Sequence, residues 1–95
     1  MLHSGSKTVA LVAVPEPLTA ARVVAGWTLV QALATNTGAV YVGDSTVSPT
    51  RGTALANPGD SVLLPWYGPA SGYDLSRIYI AVAVPGEGVS YNHVG

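Results

Sequence analysis

Apolar side chains recur at every second residue in several short segments of this chain, and glycine, proline, asparagine or aspartate separates the segments. A period of two places successive side chains on opposite faces of a strand, whereas a helix requires a period of 3.6. The clearest case is residues 77–84, which carry on one face Ile78, Ile80, Val82 and Val84. The pattern predicts an all-β chain of about seven or eight short strands.

Strands of this length and spacing, with no helical window, predict a single β-sandwich or jelly-roll-like domain. We assign residues 7–95 to this domain and residues 1–6 to a flexible N-terminal tail. We expect the first strand over residues 7–14, where both faces are apolar, and a short edge strand over 22–24. The other expected strands are residues 28–35, 39–43, 53–55, 61–64, 77–84 and 89–93. Residues 57–60 and 84–87 each have Pro-Gly at the centre, which is typical of a type II turn.

Charged residues make up only 9% of the chain and hydrophobic residues 48%. Four lysines and arginines and a net charge of −1 provide too few cations for a nucleic-acid surface. No apolar stretch approaches the ~20 residues that span a bilayer, so we expect no membrane partner. A surface this poor in charge predicts contacts with further copies of the chain or with another protein. The sequence is therefore interpreted as that of an assembly component.

The residues that carry chemistry form no recognisable constellation. His3 and His93 stand near opposite ends of the chain, away from any second ligand, and cysteine is absent, so we expect no metal site and no cofactor. A nucleophile motif, a carboxylate pair and a phosphate-binding loop are all missing, which predicts a protein without catalytic residues. Asp44, Asp60 and Asp74 occupy turns, where a short carboxylate accepts bonds from nearby backbone N–H groups.

Aromatic and apolar side chains are the candidates for binding. The Gly/Pro-rich segment 65–72 contains Trp66 and Tyr67, and Trp27 and Tyr73 are further aromatic candidates. Such rings pack in a core, anchor a protein interface or stack on a sugar, and the sequence leaves these three readings open. The apolar residues 9–14 of the predicted first strand and the extended tail of residues 1–6 are further candidate contacts. The candidate interface residues are Val9, Leu11, Val12, Trp66, Tyr67, Tyr73, Arg77 and Tyr79.

Two stretches, TNTGAVYVGDSTVSPTRGTALANPGDSVLLP and YDLSRIYIAVAVPGEGVSY, resemble a family of small all-β virion structural proteins of tailed bacteriophages. The resemblance covers residues 27–91 and rests mostly on turn and core positions. The matching residues are Asn36, Gly38, Val40, Tyr41, Val42, Gly43, Gly52, Leu55, Pro58, Gly59, Ser61, Asp74, Leu75, Ser76, Ile78, Tyr79, Gly88 and Val89. Segment 66–73 is longer than the family pattern, which makes it a candidate for particle-specific binding.

The resemblance implies a non-enzymatic decoration or cement protein, made in the host cytoplasm and located on the capsid surface of the virion. Its partners would be the major capsid protein and further copies of itself, with a homotrimer favoured because trimers match three-fold positions of a shell. An alternative is a carbohydrate-binding module of a head or tail fibre that uses Trp66, Tyr67 and Tyr73. A tail or neck structural protein with the same fold is a further alternative.

Overall fold

The chain consists of short strands and turns in the computed structural model, which describes residues 2–12, 14–64 and 73–94. The strands are β1 (Leu2–Thr8), β2 (Glu16–Pro17), β3 (Val24–Ala25), β4 (Thr28–Ala32), β5 (Val40–Gly43), β6 (Thr53–Leu55), β7 (Ser61–Leu64), β8 (Tyr73–Asp74), β9 (Tyr79–Val82) and β10 (Gly88–Val94). One 3-10 turn, Leu75–Arg77, precedes β9. No helix among the described residues is long and apolar enough to cross a membrane. The prediction of an all-β chain is confirmed.

The strands form two four-stranded antiparallel sheets and one two-stranded ribbon. Sheet A has the order β1-β10-β4-β7, sheet B has the order β2-β9-β5-β6, and β3 pairs with β8. Among the described strands, only β5 and β6 are neighbours both along the chain and within a four-stranded sheet. The chain therefore passes repeatedly from one sheet to the other, which brings residues from distant parts of the sequence together.

Both sheets contribute side chains to one hydrophobic cluster. Sheet A supplies Val30, Ala32, Val89 and Tyr91, and sheet B supplies Val40, Val42, Leu55, Ile80 and Val82. Within β5, Val40 and Val42 are buried while Tyr41 between them is half-buried, as the alternation predicts. Burying apolar area at roughly 25 cal/mol per Å² is the main force that holds the two sheets together.

The prediction for the N-terminal part of the chain is wrong. Residues 2–6, expected as a flexible tail, belong to β1, which pairs with β10 from Leu2↔Val94 to Thr8↔Gly88. The apolar residues 9–14, expected as a strand, follow β1 instead of forming it. β1 lies at the edge of its sheet and most of its residues are exposed, so its sequence shows little apolar alternation.

The other predicted strands differ less from the strands of the structure. The strand predicted over 77–84 is the shorter β9, because Asp74 caps the preceding 3-10 turn with a bond from the Ser76 N–H. The strands predicted over 53–55 and 61–64 are confirmed. Both Pro-Gly turns are confirmed as well: Gly59 and Gly86 have φ values of 86° and 81°, which glycine adopts without steric cost.

Candidate functional site

A short apolar segment is held outside the core between β1 and β2. The segment consists of Leu11, Val12 and Val14, whose side chains are 63%, 47% and 45% exposed. These three apolar side chains thus face solvent, although the sequence favours their burial. Exposed apolar groups of this kind are more often binding surfaces than accidents when they lie together.

Val9 fixes where this segment leaves the fold. Its N–H donates to the carbonyl oxygen of Glu87 at 3.0 Å, and its carbonyl oxygen accepts from the Gly86 N–H at 2.8 Å. The Val9 side chain is fully buried. Val9 therefore belongs to the core and not to the exposed surface where the sequence placed it, whereas Leu11 and Val12 remain available for contacts.

A second candidate surface contains Arg77 and Tyr79. Together with Asp44, Ser45 and Ser76 they line an open cleft of about 410 Å³. The residues come from the turn after β5, from the 3-10 turn and from the start of β9. The register of β5 on β9 pairs Gly43 with Tyr79, and so brings the turn at Asp44 next to Tyr79.

The carboxylates around this cleft are held by their own turns. Asp44 accepts bonds from the N–H and the hydroxyl of Thr46, which hold the pKa of Asp44 below its ordinary value. Asp74 accepts in the same way from Ser76, and the bond from the Ser76 hydroxyl is the main reason that the pKa of Asp74 is lowered. Asp60 accepts from the Asn57 N–H at 3.0 Å. The prediction that these three aspartates satisfy backbone donors in turns is confirmed.

Arginine side chains gather beside Asp74. Nε of Arg22 lies 3.6 Å and Nε of Arg77 lies 3.9 Å from Oδ2 of Asp74. Both arginine side chains are largely exposed, so water screens these ion pairs and they add little to stability. Their guanidinium groups remain accessible to a polar partner.

An apolar cleft of about 320 Å³ adjoins the polar one and shares Asp44 and Arg77 with it. Its apolar walls are formed by Val42, Val62, Leu64 and Ile78. A ligand or protein segment with one polar and one apolar side would match both clefts. Among the described residues, no group of three or more His, Cys, Asp or Glu side chains is placed to hold a metal ion.

The structure describes only some of the aromatic candidates. Trp66 and Tyr67 lie outside the described residues. Tyr73 is the first residue of β8, where its backbone pairs with Ala25 of β3. Trp27, a further aromatic candidate, is half-buried just before β4.

The sequence missed the pairing of its two histidines. His3 of β1 and His93 of β10 are directly opposite each other, with ring centroids 5.0 Å apart and ring planes at 22°. His93 is buried, and burial together with the neighbouring His3 lowers the pKa of His93 below its ordinary value. No single segment of the sequence contains this signal, since it depends on the register between the first and last described strands.

Comparisons of the chain with protein-family models, with curated proteins and with solved structures found no match.

Proposed function

We propose that the chain is a jelly-roll β-sandwich that acts as a non-enzymatic virion structural protein of a tailed bacteriophage. In this proposal it decorates the outer capsid as a homotrimer and stabilises the shell by binding the major capsid protein. The resemblance of residues 27–91 to such proteins supports the family, and the strand order supports the fold.

The strand order is the observation that carries the proposal. With the β3–β8 ribbon set aside, eight strands remain, in the orders β1-β10-β4-β7 and β2-β9-β5-β6. When these eight are numbered consecutively, the orders become 1-8-3-6 and 2-7-4-5. A jelly roll gives this arrangement, because its chain folds as two interlocked Greek keys over two sheets, and the fold is frequent in viral capsid and lectin domains.

The exposed apolar segment of Leu11, Val12 and Val14 supplies the contact surface in this proposal. A decoration protein binds only the assembled shell, so it stabilises the shell by mass action, about 2.7 kcal/mol per site at a hundredfold excess over Kd. Repetition over many sites multiplies the effect.

The test compares particles with and without the protein. We expect particles that lack it to assemble but to release DNA at a lower temperature, and the added protein to restore their heat resistance. Leu11→Asp should abolish this rescue while the circular dichroism spectrum stays unchanged. Leu63→Asp is the matched control, since Leu63 is 55% exposed on β7 and lies outside the apolar segment. Equal rescue by both variants would contradict the assigned contact surface.

A second candidate function is carbohydrate binding, because the cleft of Arg77 and Tyr79 offers hydroxyl, guanidinium and carboxylate groups beside an aromatic ring. A glycan array, with Tyr79→Ala as the control, separates the two candidates. If particles without the protein are equally heat-resistant but adsorb poorly to host cells, glycan binding replaces capsid decoration. Localisation in a reconstruction of the intact particle separates both from a tail or neck protein.

A further inference from the structure

We propose that His3 and His93 form a two-histidine site for a divalent transition-metal ion, of which Zn²⁺ is the test case. This inference does not depend on the proposed function. It rests on the cross-strand register, on the ring geometry and on polar atoms buried beside the pair.

The register places the two imidazoles on the same face of sheet A. His3 pairs with His93, and His93 pairs on its other side with Thr28 of β4. Side chains directly opposite on antiparallel strands have Cβ atoms about 4.5–5.5 Å apart, so neither backbone has to move for the two rings to share a ligand. Imidazole nitrogen is a preferred ligand of zinc, copper and nickel.

The separation of the ring centroids is compatible with joint coordination. A Zn–N bond of about 2.0–2.1 Å places each ring centroid about 3.2 Å from the metal, and two rings at a tetrahedral angle then lie about 5.2 Å apart. The observed distance between centroids is 5.0 Å. His3 is exposed, and rotation about its side-chain bonds can turn a ring nitrogen toward the same point as His93.

Two buried polar atoms beside the pair have no hydrogen-bond partner among the described residues. His93 is only 8% exposed, and no hydrogen-bond partner for its Nδ1 atom occurs among the described residues. The same holds for the hydroxyl of Thr28, which is fully buried. An unpaired buried polar group costs about 1–3 kcal/mol, and a metal ion bound at the histidine ring is one way to recover part of that cost.

Two imidazoles leave coordination positions open, in contrast to the four protein ligands of a structural zinc site. Water fills these positions in the isolated chain, and a side chain of a neighbouring protein molecule can replace it in an assembly. The site is therefore expected to be one of modest affinity that strengthens when a further ligand arrives.

Titration of the folded chain with Zn²⁺ at neutral pH, followed by NMR of the imidazole protons, tests the proposal. We expect the resonances of His3 and His93 to shift together and to return on addition of a chelator. His3→Ala should weaken Zn²⁺ binding by about tenfold or more, since even indirect partners of metal ligands contribute that much. Ser4→Ala, on the opposite face of the same strand, is the matched control and should change the affinity by less than about twofold.

Three results would overturn the proposal. The first is a shift confined to His3, which would mean binding by one surface imidazole. The second is unchanged affinity in His3→Ala. The third is loss of binding when the α-amino group is acetylated, which would assign the ion to the chain terminus. Because His3 is exposed, its replacement leaves the fold intact and each result can be read directly.

Discussion

The side chain of Asn36 binds both backbone polar groups of Gly88. Its Nδ2 atom donates to the Gly88 carbonyl oxygen at 2.8 Å, and its Oδ1 atom accepts from the Gly88 N–H at 3.3 Å. Asn36 is buried after the end of β4, and Gly88 is the first residue of β10. One amide group thus joins the turn after β4 to the start of the neighbouring strand.

Asn36→Ala should lower the free energy of unfolding by about 1–3 kcal/mol, because it leaves buried backbone groups with fewer partners. Urea denaturation measures the change. Asn92→Ala is the control: Asn92 accepts a single bond from the exposed Ser4 hydroxyl and should matter much less. Equal losses of unfolding free energy in the two variants would mean that the bonds to Gly88 stabilise the fold no more than the exposed bond to Ser4 does.

Gly88→Ala should separate β1 from β10. A Cβ atom on Gly88 would overlap the Lys7 carbonyl oxygen, which is backbone and cannot rotate away. Hydrogen exchange should show loss of protection along β1. Gly86→Ala is the control, since a Cβ atom there meets open space and the expected cost is only the ~1–2 kcal/mol of a left-handed residue.

Glu87 should make stability depend on pH on the acidic side. Partial burial raises the pKa of Glu87, but the N–H groups of Gly38 and Thr37 and the Thr37 hydroxyl outweigh this effect and hold the pKa below its ordinary value. The unfolded chain therefore binds the proton more tightly than the folded chain does. The stabilisation is present above the ordinary pKa of a glutamate and is lost as the pH falls through the lowered folded pKa.

Melting temperatures of the unmodified chain and of Glu87→Gln, measured from pH 7 downward, check this sign. We expect Glu87→Gln to melt at a lower temperature at pH 7, and the difference to shrink as the solution is acidified. Glu16→Gln is the control, because it makes the same charge change at a partly exposed residue that forms an ion pair with Lys7. If the difference in melting temperature between Glu87→Gln and the unmodified chain widened at low pH, the lowered pKa of Glu87 would be refuted.

Ile80→Asp should unfold the chain, because Ile80 is fully buried in the shared cluster and an ionised carboxylate there has no partner. Leu63→Asp places the same charge on an exposed position of β7 and should leave the fold intact. Circular dichroism and one-dimensional NMR distinguish the two outcomes. A folded Ile80→Asp chain would mean that the cluster is less tightly packed than described.

The alternation of apolar residues predicted the strands that bury one face. It did not predict the exposed edge strand, which buries too little apolar surface to show the pattern. Ile78, Ile80 and Val82 were predicted on one buried face because every second residue of residues 77–84 is apolar, and all three are buried. β1 escaped prediction because an exposed edge strand needs no apolar side chains, and because Gly5 lies against the ring of Tyr91, where a larger residue would not fit.

The candidate sites depend on contacts that no local pattern contains. His3 meets His93 only because β1 pairs with β10, and Asp44 meets Arg77 only because two separate turns reach the same cleft. The sequence did predict the chemistry of Asp44 and Asp74 within their turns, since those bonds span two residues. Short-range hydrogen bonding was thus predictable, whereas the register between distant strands was not.

The position of β10 between β1 and β4 has a consequence for the order in which the chain folds during synthesis. Residues 2–8 leave the ribosome before the other described strands, yet the strand that they pair with is the last of those described. Sheet A can be completed only after residues 88–94 have emerged, so β1 must remain without its partner throughout most of translation. Pairings between such distant segments fold slowly and expose strand edges meanwhile. The polar composition of β1 suits this interval, because an unpaired edge with serine, histidine and lysine side chains resists aggregation until β10 arrives.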